Sequence, residues 1–228
     1  LATVISQIIV FGIFTFFMIF KKHTYIHINP LKFKYDSKIL MQILNLGIPA
    51  SLSMLIMSIG LFFYNKILSM SSYPVEAIAA YSTAHRIEHL FFIPIISIAT
   101  SMVTLVGMFY GAKRLDLINK VISYGLKNAI SISCIFGIFF FSCSKFIFPM
   151  FTNDSRIILI GVEYFRIFSF AIPFVTLTMI CSRIMQGLGK AYPMLIITCL
   201  RVIVISCFLA WLFIEYLNKP LHFAWYAI

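Results

Sequence analysis

Residues 76 to 120, EAIAAYSTAHRIEHLFFIPIISIATSMVTLVGMFYGAKRLDLINK, decide the fold of this chain. They read as a long apolar helix with His85, Arg86, Glu88 and His89 near its start and a Gly-Ala-Lys-Arg stop at its end. About 20 apolar residues cross a bilayer, and a charge at the centre of a span costs on the order of 2.5 to 3.5 kcal/mol on insertion scales. Groups of this kind face a protein interior or a water-filled cavity. The stretch therefore predicts a membrane span that carries an intramembrane polar site.

Composition extends this reading to the whole chain. Of 228 residues, 61% are hydrophobic, only 11% are charged, and 25 are Phe against two Trp, which is outside the range of soluble domains. A multi-span membrane protein is expected. The five cysteines, Cys134, Cys143, Cys181, Cys199 and Cys207, lie in or beside apolar runs without CxxC spacing, so neither a disulfide framework nor a metal site is indicated. A net charge of +11 would suggest nucleic acid as the partner of a soluble protein. In a membrane chain the same lysines and arginines report topology, and the expected partner is the lipid bilayer rather than nucleic acid.

Working outward, Leu1 to Phe20 is an uninterrupted apolar segment that closes on Lys21 and Lys22. Residues 21 to 38, KKHTYIHINPLKFKYDSK, hold five lysines and one acid, with Asn29-Pro30 as a helix breaker; they read as a basic linker between two bundles. Further spans are expected over Lys38 to Met70, over the quoted stretch, and over Val121 to Phe148, Ile157 to Arg183 and Tyr192 to Leu217, with Leu221 to Ile228 opening a seventh. PMFTNDSR, 149 to 156, makes a polar turn in which Asn153 or Asp154 caps the next helix. Gln186 to Lys190 forms a tight turn containing Gly187 and Gly189. Leu1 already lies in an apolar run and the last residues open a helix, so both ends look cut and the chain reads as part of a longer protein.

Alternate turns carry the basic residues. Lys21, Lys22, Lys32, Lys34, Lys38, Lys113, Arg114, Lys120, Arg183 and Lys190 fall on one side, against Lys66, Lys145, Arg156 and Lys219 on the other. Ten against four is a positive-inside bias that puts the first group on the cytoplasmic side, and a multi-pass chain of the cell (inner) membrane is expected.

Four blocks carry a family likeness: LNLGIPASLSMLI at 44 to 56, AIAAYSTAHRIEHLFFIPIISIATSMVTLVGMFYGAKR at 77 to 114, EYFRIFSFAIPF at 163 to 174 and MQGLGKAYPMLIITCLR at 185 to 201. In order and spacing they resemble the second six-helix lobe of the multidrug and toxic compound extrusion (MATE) transporters, and Leu1 to Phe20 looks like the last helix of the first lobe. The resemblance implies an all-α, polytopic transmembrane bundle of six complete spans plus the start of a seventh. Residues 1–20 would close the first lobe, 21–38 form the cytoplasmic linker and 39–228 form the C-terminal lobe. It also implies a secondary active antiporter and not an enzyme, one that exports small amphipathic organic cations in exchange for sodium ions or protons, uses no other cofactor, and works with a first lobe absent from this sequence. A lipid-linked oligosaccharide flippase of the same superfamily and an inactive truncated fragment are the alternatives. Where members use a second-lobe carboxylate, the matching positions here are Met57 and a site near Val175, both apolar. The coupling acid is then expected in the first lobe.

Among the residues themselves, Glu88 is the only acid deep in a span, reached along the helix from Tyr81 through Ala84 and His85, with Arg86 expected close enough to share its environment. Two readings stand: a cation or proton site tuned by burial and by Arg86, or a structural polar network between helices. His85 to His89 also matches the H-x-x-E-H zinc-peptidase pattern, but a five-residue match without a third ligand is weak, and no metal is expected. Arg166 and Arg201 lie within spans and serve either an anionic substrate or carbonyls freed by proline. Met54 and Met57 read as the lining of an adaptable cavity or as packing residues. Pro49, Pro94 and Pro173 each fall inside a span and, with Gly187 and Gly189, are the hinge candidates.

Overall fold

The structure, a computed structural model, describes residues 2–20, 35–71, 73–216 and 222–226. Residues 21–34, which hold most of the basic linker, and the turn at 218–220 lie outside the described residues. All regular structure among the described residues is helical. Five segments are long and apolar enough to cross a membrane: Ser37–Leu68, Pro74–Gly111, Leu115–Met150, Ser155–Gly187 and Tyr192–Tyr216. A further apolar helix, α1, occupies Ala2–Phe20; its 19 residues rise about 28 Å, close to the roughly 30 Å of hydrocarbon.

The chain divides into two compact units, Leu1–Leu40 and Met41–Ile228. In the second, α3 (Pro74–Gly111), α4 (Leu115–Ile147) and α5 (Ser155–Gly187) pack against one another as the central triad. Because lipid is as apolar as leucine, close fit rather than hydrophobic expulsion holds such helices together, and small residues permit it. On α4 the buried face is Gly125, Ala129, Ser133 and Gly137, one small residue per turn. On α3, Ala77, Ala80 and Ala84 do the same. Around these, rings interlock: Phe91 of α3 meets Phe136 and Phe140 of α4 edge-on, and Phe140 lies 4.7 Å from Phe165 of α5.

Helix α2 (Ser37–Leu68) joins the triad through its second half, where Gly60, Tyr64, Ile67 and Leu68 are buried. The last span is not one regular helix. It runs as α6 (Tyr192–Cys199), a π-helical stretch (Leu200–Cys207), α7 (Phe208–Trp211) and a second π-helical stretch (Leu212–Tyr216). A Cβ added to Gly60 would land on Val202 of the first π stretch, so α2 and the last span touch at a residue that has no room for a side chain. A short α8, His222–Trp225, follows.

Two boundaries differ from the sequence expectation. The quoted stretch is not a single helix to Lys120: α3 ends at Gly111 and α4 starts at Leu115, six residues before Val121. The residue that stops α3 is Lys113, with φ of 56°, and not Gly111. The Lys113 N–H donates to Tyr110 O and that of Arg114 to Phe109 O, which satisfies the carbonyls left open at the helix end. Gly189, with φ of 81°, closes α5 in the same way, its N–H donating to Gln186 O and that of Lys190 to Met185 O. At the opposite end of the bundle Asp154, rather than Asn153, caps α5, accepting from the Arg156 N–H at 2.8 Å. Arg156 also reaches Glu76 of α3 at 3.8 Å and lies over the Tyr73 ring, joining the first turns of α3 and α5.

Candidate functional site

The polar centre of the lobe is built on one face of α3. Ala77, Ala80, Ala84 and Glu88 follow at helical spacing and are buried, and the small side chains before Glu88 let neighbouring aromatics close in. Tyr81 sits among them. Its ring is 4.9 Å from that of Tyr64 on α2, 5.8 Å from that of Tyr164 on α5, and stacked on Trp225 of α8 at 6.2 Å. Tyr164 meets Trp225 edge-on at 5.1 Å. Four helices thus contribute one ring each to a single cluster, and Tyr64, Tyr164 and Trp225 are only 2 to 3% exposed. Tyr64 fixes the far wall by donating its hydroxyl to Ala224 O at 2.8 Å.

Glu88 lies two turns beyond Tyr81, about 21 Å along α3 from Pro74. Its Oε2 is 3.7 Å from Nδ1 of His85, the residue one turn earlier. The His85 ring is stacked on Tyr81 and its side chain is 51% exposed, whereas the Glu88 side chain is 8% exposed. The Tyr164 hydroxyl lies within electrostatic reach of the same carboxyl group. The other oxygen, Oε1, is buried without a hydrogen-bond partner, as is the Trp225 indole N–H. A buried carboxylate without a full set of partners is costly in its charged form, so this group calls for a proton or a cation.

The remaining sequence candidates are spread more widely. Arg86 points away from this cluster and is exposed; the partner of Glu88 is His85, which corrects the expectation that Arg86 shares its environment. Arg201 falls in the first π stretch, half-buried and within electrostatic reach of Tyr81. Met54 and Met57 are exposed on α2. Pro49 is buried, Pro173 half-buried and Pro94 exposed, and α2, α5 and α3 respectively continue through them. Gly187 is a contact position: a Cβ there would come within 2.9 Å of Val103 O on α3. Sequence reasoning passed over Tyr64, Tyr164 and Trp225. A hydroxyl or indole N–H inside an apolar span needs a partner, and that was the available signal.

Comparison with known proteins places this geometry. Residues 49–212 match the family model described as MatE. The chain is 26% identical over 98% of its length to the "Probable multidrug resistance protein NorM" of Thermotoga maritima, covering 47% of that protein. Among solved structures it resembles a MOP superfamily transporter from Pyrococcus furiosus with a TM-score of 0.93 and 26% identity, over 100% of this chain and 51% of that one. It likewise resembles an outward-facing multidrug resistance MATE family transporter with a TM-score of 0.91 and 26% identity, over 100% of this chain and 50% of that one. The chain spans about half the length of the curated relatives it matches most fully.

Proposed function

This chain belongs to the MatE family, and from that premise we propose that it is one lobe of a secondary active exporter of small amphipathic organic cations. Efflux is driven by sodium ions or protons moving inward, and the partner lobe is a second six-helix bundle of the same protein. The observation that carries this reading is that the whole chain matches half of each transporter structure at TM-scores above 0.9. The named multidrug relatives support the substrate class.

The lobe suits alternating access because its parts differ in how tightly they are held. The triad of α3, α4 and α5 is interlocked by small residues and rings and moves as a body. The first half of α2 is largely exposed, and the last span is wound irregularly, so the flanks of the lobe are the parts that adjust. Transport requires no covalent chemistry from these residues. The membrane in which this takes place is the cell's inner membrane, with the Lys113 and Lys190 turns on the cytoplasmic side.

The test is reconstitution of the full-length protein carrying this chain into vesicles loaded with a panel of cationic dyes. Imposed inward sodium or proton gradients are expected to expel at least one dye. Dye that stays put under both gradients, with the protein inserted in both orientations, overturns the reading.

A further inference from the structure

We propose that Glu88 is a proton-binding site within this lobe and that His85 is the relay through which the proton enters and leaves. The proposal deepens the exporter reading above and rests on it for its physiological purpose. The site itself stands on three observations.

First, Glu88 has an unsatisfied acceptor. Oε1 is buried with no hydrogen-bond partner, and the Glu88 residue is 6% exposed. Protonation at Oε2 or Oε1 removes the charge that makes this burial expensive. Second, His85 is the half-exposed neighbour through which a proton can reach the acid. Nδ1 faces Oε2 at 3.7 Å, while half of the side chain is exposed. That separation is longer than a hydrogen bond, and one bridging water or a small ring rotation closes it. A proton taken up at Nε2 from the exposed side lets the Nδ1 proton pass to Oε2, which leaves a neutral imidazole and a neutral acid; release reverses both transfers.

Third, the acid has no basic partner beyond His85 among the described residues. The titratable groups nearest the acid are His85 from its own helix and Tyr164 from α5; Tyr64 of α2 and Tyr81 of α3 lie within its electrostatic reach, and Arg201 and Cys207 of the last span within that of Tyr81. Arg201 acts on Tyr81, and neither it nor any lysine forms an ion pair with Glu88 among the described residues. The rings of Tyr64, Tyr164 and Trp225 stand 4.9 to 6.2 Å from that of Tyr81 between centroids. Among the described residues no group of three or more acidic, histidine or cysteine side chains converges to hold a metal ion.

The experiment is infrared difference spectroscopy of the full-length protein in lipid, titrated with acid, alongside proton-driven dye efflux. Wild type is expected to show a protonated-carboxyl C=O band that grows as pH falls, and Glu88→Gln to lack it. Glu88→Asp, which keeps the acid, is expected to restore a shifted band. His85→Gln should keep the band but slow its rise after a pH jump by about tenfold or more. Asp116→Asn, in the exposed first turn of α4, is the control and should retain the wild-type band. A band that survives Glu88→Gln, or that sodium abolishes at constant pH, overturns the proposal. Normal insertion of Glu88→Gln with an unaltered pH profile of efflux overturns it as well. If the Glu88 band titrates as expected while no dye moves in wild type, the proton site stands and the exporter reading falls.

Discussion

Tyr81 and Trp225 lie almost parallel, 12° apart in plane and 6.2 Å between centroids, although 144 positions (225 minus 81) separate them in the chain. The short α8 is thereby bound near the start of α3's buried face, and Tyr64 secures it a second time through Ala224. Trp225→Ala leaves a hole that the neighbouring rings cannot fill without losing their mutual contacts. It is expected to lower stability by about 3 kcal/mol or more, and Trp225→Phe by less. Thermal unfolding in detergent micelles checks the order of the two.

Tyr164 lies within electrostatic reach of the Glu88 carboxyl and meets Trp225 edge-on. Tyr164→Phe keeps the ring and removes only the hydroxyl beside the acid. The expected outcome is unchanged thermal unfolding with a displaced pH profile of proton-driven efflux, read in vesicles over a series of external pH values. An unmoved profile shows that the hydroxyl does nothing for the acid.

Gly187 lets α5 approach α3 backbone to backbone, with Val103 O 2.9 Å from where a Cβ would stand. A carbonyl on a neighbouring helix cannot turn aside as a side chain can. Gly187→Ala is expected to destabilise the lobe by about 1 to 3 kcal/mol, the usual penalty of overpacking. Gly125→Ala faces only the flexible end of Met102 and should be better tolerated. Protease resistance of the two variants in membranes decides the comparison.

The two helix stops offer a paired test. Lys113 carries a left-handed backbone that favours glycine, and Lys113→Gly should stabilise the α3 end by about 0.5 to 1 kcal/mol. Gly189→Ala imposes the same strain that Lys113 now bears and should destabilise the α5 end by about 1 kcal/mol. Opposite shifts in unfolding temperature are the expected result.

At the other end, Asp154→Ala removes the acceptor for the first free N–H groups of α5 and is expected to reduce stability by about 1 kcal/mol. The adjacent Glu76 and Arg156 pair is largely solvent-accessible on the arginine side, so Glu76→Gln should change stability by less than about 1 kcal/mol. Denaturant titration separates the two effects.

Much of this architecture is legible in the sequence because each span announces itself by a run of apolar residues and each turn by Gly, Pro, Asn or Asp. The likeness to MATE transporters, carried by four blocks, proved to be family membership. The start of α4 was misplaced because Leu115 to Lys120 mixes apolar residues with Asp116, Asn119 and Lys120, which reads as loop when an uninterrupted apolar run is the criterion. Pairing Glu88 with Arg86 overlooked helix geometry: residues two apart face away from each other, whereas His85 and Glu88, three apart, share a face. Nothing local marks the aromatic cluster, whose members come from α2, α3, α5 and α8, nor the π-helical winding of the last span, which is apolar on every side.

Helix α3 has 38 residues and a length of about 57 Å, nearly twice the hydrocarbon thickness of a bilayer. One of its ends is anchored: Lys113 and Arg114 sit at the stop, and the Gly107 and Gly187 contact sets the second basic turn, with Lys190, alongside. Basic turns of this kind hold to lipid phosphates, and a bundle so moored meets a thicker or thinner membrane by tilting or by sliding its free end. The free end is the Pro74 end, where Glu76 and Arg156 join α3 to α5. Bilayer thickness is therefore felt first at that clasp, and the depth at which Glu88 sits is set from the opposite, moored side.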